Sequence, residues 1–236
     1  MGQKFAAYND TGKIIGFYDS VDSPIPSGVT AIKITDEQWQ TCLSQSGWMV
    51  KNGGMVAPPA PTAAQILAQA KSAQITLVTQ GYNAATDYVP VTINGTTYQV
   101  DNTAGKQALN LSLAITANAM LQSPAWAAST DYAAGAYCSV GGVILFCSAS
   151  GKSGTSAPTP PTTFGTPVAD GTAELELLGR KVYLQGGSFV YMTPQEIMSA
   201  FQQSELYLHQ MSDKLELLKA EINAATTVTE VQTFTF

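Results

Sequence analysis

Residues 126–179 read WAASTDYAAGAYCSVGGVILFCSASGKSGTSAPTPPTTFGTPVADGTAELELLG, and this stretch decides how the rest of the chain is organised. It holds little charge and much Gly, Ser, Thr and Pro, with aromatic residues spaced through short apolar runs. Such a composition cannot sustain long helices, whereas its β-branched and aromatic residues suit a pleated surface and its glycines suit tight turns. A small all-β module over 123–179 is therefore expected. A turn-dense, aromatic-bearing patch of strands suits binding better than catalysis.

The sequence on either side reads differently. In YVPVTINGTTYQV, Asn94-Gly95 is a strong two-residue hairpin signal. It sets Ile93 opposite Thr96, Val91 opposite Tyr98 and Val89 opposite Val100, all on one face. A helix before the hairpin places Ile66, Ala70, Ala73 and Leu77 on one stripe, and a helix after it places Ala104, Ala108, Leu111 and Ile115 on another. The second of these stripes is expected to be buried. Beyond 179, VYLQGGSFVYM predicts a hairpin turning at Gly186-Gly187, and Thr193-Pro194-Gln195-Glu196 combines an N-cap, a proline at N1 and a glutamate at N3. The helix that follows carries Ile197, Phe201, Ser204, Leu208, Met211, Leu215, Leu218 and Ile222 at alternating steps of four and three, the spacing of a heptad seam. That seam fits either packing on the chain's own helices, 62–80 or 103–121, or a self-associating coil. Upstream, strand-like KFAAY and KIIGFY flank a turn at Asn9 to Gly12, a capping box opens at Thr35, and Asn52-Gly53 marks another hairpin. The expected fold class is α+β and multi-domain: an α+β unit at 1–57, a hairpin-and-helix domain from 58–122 and 180–236, and the inserted module at 123–179.

Charge narrows the functional classes. Only 12% of residues are charged, against about 25% in an ordinary soluble domain. Uncharged polar surfaces of this kind suit extracellular, fibrous and viral proteins. The net charge of −6 and the lack of any Lys/Arg cluster argue against a nucleic-acid partner. No apolar run reaches membrane-spanning length, and no signal-peptide h-region follows Lys4, so folding in a cytosol is expected. Three cysteines are too few for a disulfide framework. A two-residue turn at Gly141-Gly142 would leave Cys138 and Cys147 diagonal, whereas a shift of one residue would pair them.

Catalytic signals are weak. His209 stands alone, without a cysteine or carboxylate at metal-ligand spacing. Glu174 and Glu176 share a strand face, which is the ordinary spacing of a solvated face as well as of an acid pair. No nucleophile elbow, Walker loop or dinucleotide fingerprint occurs. The chain is expected to be non-enzymatic, with no cofactor and no metal. Trp126, Tyr132, Tyr137 and Phe146 are the candidates for stacking on a sugar ring. Core packing competes for the same rings, and a module this small needs at least two of them inside.

Three stretches carry a resemblance to bacteriophage tail proteins. GFYDSVDSPIPSGVTAIKITDEQWQTCLSQSG, with its Ile34–Trp39 helix start, is similar to the beginning of tail fibre assembly proteins. The Gly95, Tyr98, Asp101 hairpin exit, the Phe189–Thr193 turn and the Ile222–Glu230 run resemble a domain common in phage tail fibre proteins. The insert resembles a small carbohydrate-binding-type module. The marks it shares are Trp126, Thr130, Tyr132 and Gly135, then Gly151, Ser153, Gly154 and Pro158, then Asp170-Gly171-Thr172; where the family often carries a Trp after that triplet, this chain has Leu175. The resemblance implies a virion tail component, a tail fibre or tail-tip subunit assembled in the host cytoplasm, that attaches to a host-surface glycan. Its implied partners are other tail or fibre proteins and copies of itself, a trimer built on 194–224 being favoured. The alternative it implies is an assembly chaperone that clasps the tip of a separate fibre.

Overall fold

The computed structural model describes residues 2–236 and is mixed α+β, with five helices and several small sheets and no barrel among the described residues. The chain folds as two compact units, Met1–Ile66 and Leu67–Phe236.

The first unit is built from β1 (Lys4–Tyr8), β2 (Ile14–Asp19), β3 (Ala31–Ile34), α1 (Asp36–Ser44), β4 (Met49–Lys51) and β5 (Gly54–Val56). The antiparallel sheet runs β2-β1-β3 and buries Ala6, Ala7 and Ile34. Thr35 and Gln38 form the expected capping box at the start of α1. Lys4 lies between two partners: its ammonium is 2.5 Å from the Asp19 carboxylate and 4.7 Å from the Trp39 ring. Asp19 also accepts from the backbone N–H groups of Val21 and Asp22. The Lys4 hydrogen bond, followed by those N–H groups, lowers its pKa from 3.8 to about 2. Because the folded value is depressed, the stability it contributes is present above the unfolded value and lost as pH falls from about 4 through 2. A carboxyl resonance of Asp19 titrating near pH 2 is the expected result, and Lys4→Met should return it toward 3.8.

The second unit follows from α2 (Ala63–Thr86), whose first turn is closed by Thr62 and Gln65. Next come β6 (Tyr88–Ile93), β7 (Thr96–Asp101), α3 (Ala104–Met120), β8 (Asp131–Tyr132), β9 (Tyr137–Val140) and β10 (Val143–Ala149). Then β11 (Gly151–Lys152), β12 (Val168–Asp170), β13 (Ala173–Leu177), β14 (Arg180–Tyr183), β15 (Phe189–Met192), α4 (Pro194–Ala224) and α5 (Val228–Val231) complete it. The β6–β7 register is the one the apolar pattern requires, Val89 facing Val100, Val91 facing Tyr98 and Ile93 facing Thr96. Its buried face packs on Ala117, Val182, Met192, Ile197 and Ala200. A second core joins α2 to the far half of α4 and to α5: Val78, Leu215, Ile222, Ala225 and Val231, with Phe234 and Phe236 against them. Among the described residues no helix is long and apolar enough to cross a membrane.

The helix faces are used differently from the sequence expectation. On α4, Ile197, Leu215 and Ile222 are buried, and Leu208 and Leu218 pack against the same two cores. Phe201 and Met211 are half-buried, Phe201 facing a groove between α3 and α4. The chain itself thus occupies most of the seam, and its buried positions are closed to a second copy. The α3 stripe expected to be buried is instead outside, and the α2 stripe is largely outside as well. Ile66, Leu77, Leu111 and Ile115 are exposed, and Ala73, Ala104 and Ala108 with them. α2 turns in Leu67, Ile75 and Val78, and α3 turns in Leu113, Ala114, Ala117 and Met120. On α3, Asn110 donates to the Asp101 carbonyl and Lys106 lies over the Tyr183 ring, contacts that accompany this orientation.

Candidate functional site

The segment 123–179 lies within the second unit and has a sheet and a core of its own. Four strands run β12-β13-β10-β9, all antiparallel, and β8 pairs with β11 beside them. Gly141-Gly142 forms the two-residue turn, so Val140 faces Val143 and Cys138 faces Leu145. One sheet face buries Cys138, Leu145, Cys147 and Leu175, with Trp126 and Tyr132 packed over them.

Trp126 and Tyr132 are half-buried over this core, and each has its polar atom engaged within the module. The Trp126 indole N–H donates to Asp170 Oδ2 at 2.6 Å, while Asp170 Oδ1 accepts the Gly154 N–H at 2.9 Å. The Tyr132 hydroxyl accepts the Ala127 N–H at 2.9 Å. Ser153 accepts from the Thr130 N–H and donates to the Ala127 carbonyl. Gly171 has a φ of +68°, and a Cβ there would lie 2.3 Å from the Lys152 carbonyl oxygen. Trp126, Thr130, Ser153, Gly154 and Asp170 thus form a lock that ties the segment's first loop to its last hairpin, with the Asp170 carboxylate buried at its centre. Leu175 is wholly buried in this core.

Cys138 and Cys147 are both free and buried, diagonal rather than opposite. Burial raises the pKa of both thiols, and nearby Asp170 adds to the rise at Cys138. Alkylation of the native chain followed by mass spectrometry is expected to leave both unmodified until denaturant is added.

The opposite sheet face carries the other two candidate rings. Tyr137 and Phe146 are cross-strand partners, their centroids 5.9 Å apart, and Phe146 faces Glu176 on its other side. They are half-buried against Met120, Ile144 and Leu178, which anchors one edge of each ring. Two further aromatics approach from outside the expected set: Phe164 from the proline-rich loop, and Tyr191 from β15, with centroids 5.7 Å apart. Gly179 makes room for Phe164, since a Cβ there would lie 2.5 Å from its ring. Phe189 stands edge-on to Tyr191 at 5.7 Å, and the Lys181 ammonium lies 4.4 Å from the Phe189 ring. Tyr137, Phe146, Phe164 and Tyr191 line a groove of about 430 Å³ together with Glu176 and Arg180. Arg180 is the sole arginine of the chain, is exposed, and has no ion-pair partner among the described residues. Tyr191 and Phe189 keep 43% and 47% of their surface exposed, so the rim is open.

Sequence reasoning missed Phe164, Tyr191 and Arg180 because they lie far from Tyr137 along the chain. The one signal present was the density of rings in FVYM on the hairpin that begins at the only arginine. A larger groove of about 570 Å³ lies between α3 and α4, where Asn102 donates to the Thr86 carbonyl, Gln107 to the Asn102 carbonyl and Asn110 to the Asp101 carbonyl. His209 makes a surface contact with Asp213, both largely exposed. No group of three potential metal-ligating side chains comes together among the described residues. No protein-family model, curated protein or solved structure matches the chain.

Proposed function

We propose that this chain is a bacteriophage tail component, a tail fibre or tail-tip subunit, that attaches to a host-surface glycan without cleaving it. The observation that carries this reading is the groove of four rings around an unpaired guanidinium. Aromatic faces match the C–H faces of a pyranose, and a few convergent polar groups in a mostly apolar cleft fix its orientation. Glu176 can accept hydrogen bonds from sugar hydroxyls, and Arg180 offers a fork of donors that pairs with a carboxylate or phosphate. The ligand class is therefore a sugar bearing an anionic group.

The tail assignment draws its support from the three stretches of resemblance and from the low charge of the surface. The organisation into an α+β unit at 1–57, a hairpin-and-helix domain and an inserted display module belongs to the same reading. The amino-terminal stretch favours the second reading, an assembly chaperone on a fibre tip. Virion composition separates the two: a subunit is present in purified particles at fixed stoichiometry, and a transient chaperone is absent. A glycan array probed with the full chain tests the binding claim, with signal expected on acidic saccharides. Silence on every saccharide class would refute it.

A further inference from the structure

The larger groove, about 570 Å³ between α3 and α4, combines an apolar base with an excess of hydrogen-bond acceptors. Val100, Val182, Ile197 and Ala200 line it as buried core residues, with Phe201 and Leu208 half-buried beside them. The donors of its polar side chains are turned into the backbone. Asn102 donates to the Thr86 carbonyl, Gln107 to the Asn102 carbonyl and Asn110 to the Asp101 carbonyl, and the Ser204 hydroxyl donates to the Ala200 carbonyl. A carbonyl partner fixes which end of each amide is the NH2, so the amide oxygen is the end left over. Trp48 Nε1 is the sole buried polar side-chain atom without a partner among the described residues. The unpaired oxygens of half-buried Asn102 and Asn110 are therefore open to solvent.

Two carboxylates, Asp87 between α2 and β6 and Glu205 on α4, complete the lining, and no lysine or arginine belongs to it. Neither carboxylate is in an ion pair among the described residues. Lys106, one position from Gln107, lies over the Tyr183 ring instead. The groove thus presents negative charge and amide oxygens above an apolar base, with no cation of its own. We propose that it binds a small organic ammonium, a primary amine carried on an apolar body. An ammonium brings three donors, no acceptor and one positive charge, and its hydrogen bonds to carboxylates are charge-assisted. The apolar body covers the Val100, Ile197 and Leu208 side of the groove and releases water from it. The volume falls within the range of small-molecule sites. An acid or a phosphate finds no cation to pair with here, and a neutral alcohol leaves both charges unmatched. No residue borders both this groove and the four-ring groove, so the site stands independently of the glycan reading.

The test titrates hexylamine, 1,6-diaminohexane and phenethylamine into the full chain and follows backbone amide chemical shifts, with hexanol and hexanoate as the neutral and anionic counterparts. At least one amine is expected to move amides in 83–87 and 201–208 while those of 137–146 stay in place. Hexanol and hexanoate should bind at least about tenfold more weakly than that amine. Asp87→Asn combined with Glu205→Gln, both at exposed positions outside every ion pair, should weaken the amine at least about tenfold and leave hexanol unchanged. Glu221→Gln, exposed on the far half of α4, should have no effect and so separates the site from general attraction to an acidic chain. Absence of binding by all three amines would overturn the proposal. So would an amine that binds no better than hexanol, one whose shifts map outside the groove, or one whose affinity survives the paired amide substitutions.

Discussion

Asp170→Ala is expected to unfold the β-module while leaving the helices of the same unit protected. The carboxylate is 3% exposed and holds two donors, the Trp126 indole and the Gly154 amide. Removing it leaves both N–H groups buried without an acceptor. Hydrogen bonds to a charged group contribute about 1.5–3 kcal/mol each, so the loss is at least about 3 kcal/mol. Few isolated modules of this size can lose that and stay folded. Asp170→Asn keeps one acceptor oxygen but turns its NH2 toward the other buried N–H, so it too is expected to destabilise the module. Hydrogen exchange reads the difference: amides in 126–179 should lose protection while those of 196–224 keep it. If both stretches keep full protection, the carboxylate is not the lock described above.

The second large effect concerns the groove. Tyr191→Ala removes the ring that meets both Phe164 and Phe189, and is expected to weaken binding of an acidic saccharide at least about tenfold, or 1.4 kcal/mol. Arg180→Gln should produce a similar loss for a saccharide bearing a carboxylate or phosphate and almost none for its neutral counterpart. The two variants report different things. The ring contributes to every sugar, and the guanidinium contributes to the anion. Equal losses on charged and neutral sugars with Arg180→Gln would mean that the arginine shapes the groove rather than recognises charge. Neither residue is buried, so both variants should fold normally.

Local structure was the most legible part of the sequence. Asn94-Gly95 and Gly141-Gly142 set hairpin registers by turn length, and Thr35, Thr62 and Thr193 opened helices through side-chain caps, all within a few residues. Amphipathic stripes were legible as stripes, but not as inside or outside. α2 and α3 each have two apolar faces, and the faces turned inward are those that meet cores built from residues distant in sequence, Leu215, Ile222 and Val231 for α2 and Val89, Val182 and Ile197 for α3. The same gap affected the rings. Trp126 and Tyr132 look like Tyr137 and Phe146 in the sequence. What separates them is Asp170, 44 residues away from Trp126, whose carboxylate draws the indole into the lock. Phe164, Tyr191 and Arg180 reach the groove by long-range folding that no spacing rule contains.

The most direct measurement of the central claim is a titration of the full chain against a uronic-acid saccharide and a phosphorylated one, beside the neutral sugar of the same skeleton, repeated with Arg180→Gln. The account predicts tighter binding of at least one anionic ligand, and a collapse of that preference in the variant. Equal affinity for all three, or a preference that outlasts the loss of the guanidinium, would contradict it.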